Sequence, residues 1–105
     1  MEFEHILKEF KQKTAELYGD RLKKIILYGS YARGQANDEH SDIDLAVILA
    51  GTVESCREID RMIDIITDIN LDYDVLLSVY PVSEDDYRSV NSPLLLNLRR
   101  EGISA

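Results

Sequence analysis

Cysteine is almost missing from this chain of 105 residues: Cys56 stands alone, so no internal disulfide can form. No Cys or His lies near it at metal-ligand spacing, and it is expected as a half-buried thiol in a reducing cytoplasm. Proline is confined to Pro81 and Pro93, both in the last quarter, where they read as punctuation between elements. Cations are in the minority: 12 Lys and Arg against 20 Asp and Glu leave a net charge of −8. That balance is the opposite of the basic footprint that phosphate backbones select, and it excludes stable binding to bulk DNA or RNA. No apolar run approaches the ~20 residues of a membrane span, and the opening Met-Glu-Phe-Glu-His is acidic where a signal peptide is basic. The expectation is a soluble, cytoplasmic protein. There is no internal repeat and no low-complexity tract, so residues 1–105 are expected to form one undivided domain.

The chain is well supplied with material for a core, with 45% hydrophobic and 30% charged residues, proportions that fit neither a disordered segment nor a disulfide scaffold. Phe3, Ile6, Leu7, Phe10, Thr14 and Leu17 recur at three- and four-residue steps, which predicts an amphipathic helix stopped by Gly19. The short apolar run Ile25-Ile26-Leu27-Tyr28 halts at Gly29-Ser30 and reads as a buried strand. Residues 31–41 read as a short helical turn and an exposed loop. A second strand is expected over Ile43–Leu49, then a long helix carrying Ile59, Met62, Ile63, Ile66 and Ile69 on one face and Arg57, Glu58, Asp60, Arg61 and Asp64 largely on the other. Tyr73–Tyr80 reads as a third strand closed by Pro81. Ser83, three residues before Asp86, and Ser92-Pro93 are helix starts, with Arg99-Arg100 and Gly102 as the matching stop. This order describes a small α/β domain in which helices cover a three-stranded sheet.

Chemistry concentrates where the strands begin and end. Asp42 and Asp44 are two apart at the start of a strand, so their carboxylates leave one face of the sheet. Two like charges held together call for a cation between them, and hard oxygen donors favour Mg²⁺ or Mn²⁺. Asp72 and Asp74 repeat the spacing before the apolar run Val75-Leu76-Leu77; Asp74, nearer the strand interior, is the stronger candidate for the same site and Asp72 is its alternative. At the end of the first strand, Gly29 lets a phosphate approach the backbone, Ser30 offers a hydroxyl and an amide, and Arg33 supplies a planar cation. His40, in the loop beside the acidic strand, is expected to be solvated. Consecutive leucines at Leu94, Leu95, Leu96 and Leu98 cannot all face one small core, so part of that cluster is expected to cover a partner or a second copy of the chain.

Gly29-Ser30-Tyr31-Ala32-Arg33-Gly34, a gap of about a dozen residues, Ser41-Asp42-Ile43-Asp44-Leu45 and then Asp74 together resemble the signature of the polymerase-β-type nucleotidyltransferase superfamily. The Gly-Ser-x-Ala-Arg-Gly form, the short length and the ending Ser92-Pro93 to Gly102 look, more narrowly, like the MNT group, the minimal nucleotidyltransferases. The resemblance covers nearly the whole chain. It implies a polymerase-β-like α/β (α+β) fold with a small three-stranded or slightly larger mixed sheet flanked by helices. It also implies transfer of AMP from ATP with two Mg²⁺ ions, held by Asp42 and Asp44 with Asp74 on one of them, while Gly29, Ser30 and Arg33 grip the nucleotide phosphates. For the MNT group it implies pairing with a HEPN-type ribonuclease toxin, in which the minimal transferase acts as antitoxin by attaching AMP to a toxin tyrosine.

Two other functions compete. A non-catalytic module would neutralise its partner by covering it, and would tolerate loss of Ser30, Asp42, Asp44 and Asp74, all of which are intact. A small-molecule transferase of the aminoglycoside type would use the same site on a different acceptor. Two other enzyme classes fit less well. A haloacid-dehalogenase phosphatase wants Thr or Val where Ala46 stands, and a response-regulator receiver needs a late lysine, whereas no lysine follows Lys24.

Overall fold

The computed structural model describes residues 3–29 and 42–105. Helix α1 (Phe3–Tyr18) buries Ile6, Phe10, Thr14 and Tyr18 at four-residue steps. Its last inward position is therefore Tyr18 rather than Leu17, which is exposed. Thr14, a polar residue with no exposed surface, is tolerated because its hydroxyl donates to the Phe10 carbonyl at 2.7 Å. Gly19 opens a single 3₁₀ turn, Gly19–Arg21, with φ of +55°, the left-handed step that ends helices at low cost for glycine.

Strand β1 (Leu22–Tyr28) begins three residues before the expected Ile25, since Leu22 and Lys24 keep pairing with β2 (Ile43–Leu49) across a register shift at Lys23, and both lysine side chains stay exposed. Strand β2 has the predicted bounds. Helix α2 (Ser55–Tyr73) returns the chain to β3 (Leu77–Ser83), which lies parallel to β2. Two short helices follow, α3 (Glu84–Ser89) and α4 (Pro93–Glu101), and β4 (Ile103–Ser104) pairs with β1. The sheet is mixed, with order β3-β2-β1-β4, slightly larger than three strands. Gly102 makes the return from α4 to β4: a Cβ there would overlap Ile26 Cγ2 and the Leu98 carbonyl oxygen.

Period-2 alternation in β1 and β2 divides the core in two. Ile25, Leu27, Ile43, Leu45, Val47 and Leu49 pack with Ile6 and Phe10 of α1 and Met62, Ile66 and Ile69 of α2. On the other face Ile26, Ala46, Ile48 and Val82 pack with Leu95 and Leu98 of α4. Both serine caps form as expected: the Ser83 hydroxyl accepts from the Asp86 amide at 3.1 Å, and the Ser92 hydroxyl from the Leu95 amide at 3.3 Å.

Four expectations are corrected. The helical spacing of Met62, Ile66 and Ile69 continues to Tyr73, whose hydroxyl donates to Glu9 of α1 at 3.0 Å, so Tyr73–Leu76 belongs to the end of a helix and a turn. Strand β3 begins only at Leu77, and Pro81 lies inside it. The proline is accepted because β3 is the outermost strand of the sheet. Glu58, assigned to the solvated face, is only 3% exposed. Its carboxylate accepts from the Tyr18 hydroxyl at 2.9 Å and pairs with Arg21 at 3.2 Å and Arg61 at 3.5 Å, partners without which a buried charge is not tolerated. Cys56, expected half-buried, is exposed in the first turn of α2. Of the α4 leucines, Leu95 and Leu98 are buried, while Leu94, packed against them, and Leu96 are only half-buried, so the four do not all face the core. Among the described residues no helix is long and apolar enough to cross a membrane.

Candidate active site

The site is built by register. Tyr28, the last residue of β1, pairs across the antiparallel ladder with Asp44 of β2, and Asp44 pairs across the parallel ladder with Ser78 of β3. Asp44, Ala46 and Ile48 alternate onto the face that α4 covers lower down. At the Asp44 end that cover has run out, so Asp44 is half-buried and Asp42, just ahead of the strand, is exposed.

Gly29 follows Tyr28 with φ of +72°, in the left-handed region that glycine enters without strain. A Cβ at this position would overlap Asp44 Oδ2 and stand 3.2 Å from its Cγ. The absence of a side chain is thus what lets the Asp44 carboxylate lie against the backbone at the end of β1. Burial pushes the Tyr28 phenol above its ordinary value, and the charge of Asp44 and the proximity of Tyr80 add to the shift. Tyr28 therefore stands beside the carboxylate as a neutral hydroxyl. Tyr28 and Tyr80 both pack on the second core cluster and form the aromatic floor beneath Asp44. Sequence reasoning passed over both tyrosines and Ser78. The position of Tyr28 immediately before Gly29 was the available signal, whereas Tyr80 and Ser78 needed the register of β3.

Asp72 and Asp74 do not sit on a strand face. Asp72 is exposed on the last turn of α2. Asp74 is the residue that ends that helix, left-handed at φ 53° and ψ 49°, with its amide donating to the Asn70 carbonyl. Asn70 also takes the Val75 amide on its carbonyl at 3.2 Å and the Leu77 amide on its side-chain oxygen at 2.9 Å. The corner is thereby tied to the start of β3. Strand β3 itself carries no carboxylate, and among the described residues no three His, Cys, Asp or Glu side chains gather closely enough to hold a metal ion. The described donor set is the Asp42 and Asp44 pair, hard oxygen ligands of the kind Mg²⁺ takes one or two of from protein. Ser30, Arg33 and His40 lie outside the described residues.

Comparison with known proteins places this geometry. Residues 7–92 match the nucleotidyltransferase domain family. Two proteins of Methanocaldococcus jannaschii, each named "Putative protein adenylyltransferase", are similar in sequence. MJ0141 is 41% identical over 78 residues, covering 74% of this chain and 77% of its own, and MJ0604 is 37% identical over 103 residues, covering 97% and 96%. Among solved structures, a toxin-antitoxin complex with AMP-PNP superposes with a TM-score of 0.59 at 24% identity, over 90% of this chain and 70% of that one. The complex of tri-AMPylated Shewanella oneidensis HEPN toxin with MNT antitoxin gives a TM-score of 0.52 at 21% identity, over 92% and 69%. These two likenesses are of fold. The family match spans most of the chain and takes in both Gly29 and the Asp42 and Asp44 pair, and this chain belongs to the nucleotidyltransferase domain family.

Proposed function

We propose that the protein is a minimal nucleotidyltransferase that moves AMP from ATP to a hydroxyl, that of a tyrosine, on a HEPN-type toxin partner, and so serves as the antitoxin of the pair. The observation that carries this reading is the Asp44 carboxylate on β2, pressed against the glycine that follows β1, with Asp42 two residues before it. The names of the M. jannaschii relatives and the complexes whose fold this chain shares point to the same acceptor class.

In the reaction the acceptor oxygen attacks the α-phosphorus of ATP, the bond to the oxygen bridging to the β-phosphate breaks, pyrophosphate leaves, and the hydroxyl's proton passes to a carboxylate of the site, Asp74 in this reading. Asp42 and Asp44 would hold two Mg²⁺ ions, which neutralise the triphosphate and polarise the acceptor hydroxyl. Asp74 is the third carboxylate of the proposal, with Asp72 as its alternative. Gly29 keeps the Asp44 carboxylate in place and leaves the backbone open to a phosphate, and Ser30 and Arg33 would grip the leaving β- and γ-phosphates. Tyr28 and Tyr80, packed on the second core cluster, supply a low-dielectric wall that raises the strength of the charge interactions beside them.

Intact-mass measurement of the HEPN-type partner after incubation with this protein, ATP and Mg²⁺ tests the reading. Addition of AMP to a partner tyrosine is expected. A partner that is bound and silenced but unmodified would mean neutralisation by covering alone. Modification of a small hydroxyl compound in place of the partner would make the protein a small-molecule transferase.

A further inference from the structure

At the opposite end of the sheet from Asp42 and Asp44, where β1 begins and β2 ends, a cleft of about 220 Å³ is lined by Arg21, Thr52, Glu54, Arg57, Glu58 and Arg61. Seven-residue strands set the two ends roughly 20 Å apart. We propose that this cleft binds a phosphate-bearing anion, at a site separate from the nucleotidyl-transfer centre and independent of its assignment.

The argument is one of charge and commitment. Three guanidiniums face two carboxylates, and one of those carboxylates is already used. Both Glu58 oxygens are engaged, Oε1 by Tyr18 and Arg61 and Oε2 by Arg21. Arg21 is a fixed wall, since its Nε donates to the Ala50 carbonyl at 3.1 Å and its Nη2 to the Thr52 carbonyl at 3.1 Å. Among the described residues Arg57 is paired with Glu54 alone, at 3.6 Å, with both side chains about two-thirds exposed, a pair whose worth in water is small and which an incoming dianion can replace. Arg57 and Arg61, one helical turn apart, thus present planar donors beside a preset third, the arrangement that grips phosphate oxygens.

Amide chemical shifts followed during titration with inorganic phosphate, at constant ionic strength in chloride, test the site. Saturable shifts over residues 52–61 are expected, with affinity falling about tenfold or more in Arg57→Gln/Arg61→Gln. The Arg57 guanidinium pairs with Glu54, whereas Glu58 is held by Arg21 and Arg61, so Arg57→Gln alone carries the test if the double variant melts early. Lys8→Gln/Lys11→Gln, the same charge change on α1, should leave binding as it was. Titration with AMP separates sources: tighter binding on the same amides identifies a nucleotide phosphate, equal binding a free phosphate. Absence of saturable shifts at residues 52–61, unchanged affinity in the arginine variants, or equal weakening in the lysine control overturns the proposal.

Discussion

Gly29 and Asp44 are packed so closely that the space a Gly29 side chain would fill is the space the Asp44 Oδ2 already occupies. Backbone and carboxylate are therefore selected together. Gly29→Ala has to move Asp44 and also hold alanine at φ +72°, a strain of about 1–3 kcal/mol. Thermal melting should register that loss, and transfer activity should fall much further than the melt accounts for. An alanine variant with wild-type activity would separate Gly29 from the site.

Asp42→Asn and Asp44→Asn are each expected to abolish transfer with melting temperatures near the wild type, because removing one of two neighbouring like charges relieves repulsion in the free protein. Asp74→Asn should cost nearly as much, and Asp72→Asn, on the exposed helix end, little. If single-turnover rates reverse the order of the last two, Asp72 is the third carboxylate.

ATP binding should require a divalent cation, since carboxylates and triphosphate repel each other without one. Calorimetry in Mg²⁺ and in EDTA checks this. Equal affinity in the two buffers would remove the metal from the reading.

Burial, with the hydrogen bond to Glu58 and its charge as further causes, pushes the Tyr18 phenol well above the ordinary 10.0. The folded state then holds its proton at a pH where the unfolded chain has released it. The stabilisation is full below pH 10 and is lost progressively as pH rises above it toward the folded value. Denaturant melts of Tyr18→Phe between pH 8 and about 11 should show a shallower alkaline decline than the wild type, from a starting stability lower by about 1–2 kcal/mol for the lost bond to a buried charge. An identical alkaline slope would assign the decline to other groups.

Leu95→Ala and Leu98→Ala should each cost about 2–4 kcal/mol, because both side chains are buried under the sheet. Leu71→Glu, at a position 76% exposed, should leave the melt nearly unchanged. Urea titrations compare them directly, and a tolerant Leu95 would mean that α4 is only loosely docked.

The amino-acid sequence by itself determined the local parts of this protein. Four-residue spacing from Ile6 to Thr14 made α1, the unbroken run Ile43–Leu49 made a strand buried on both faces, and Ser83 and Ser92 marked two helix starts, because each depends on neighbours within a few positions. The place of Asp44 near the start of a strand was legible for the same reason, since the run that follows it is local. Tertiary structure decided what lies across the chain. Asp72 and Asp74 have the spacing of Asp42 and Asp44, yet the left-handed residue at Asp74 breaks the alternation and the helix runs on to Tyr73, held there by packing against α1. Glu58 looks solvated in the sequence and is buried, because Tyr18 and Arg21, both more than 35 positions away, supply its partners. The pressure of Gly29 on Asp44 exists only through the register of β1 on β2. Side-chain contacts between distant segments follow from how the sheet closes, and that closure is a property of the whole packed core rather than of any one stretch.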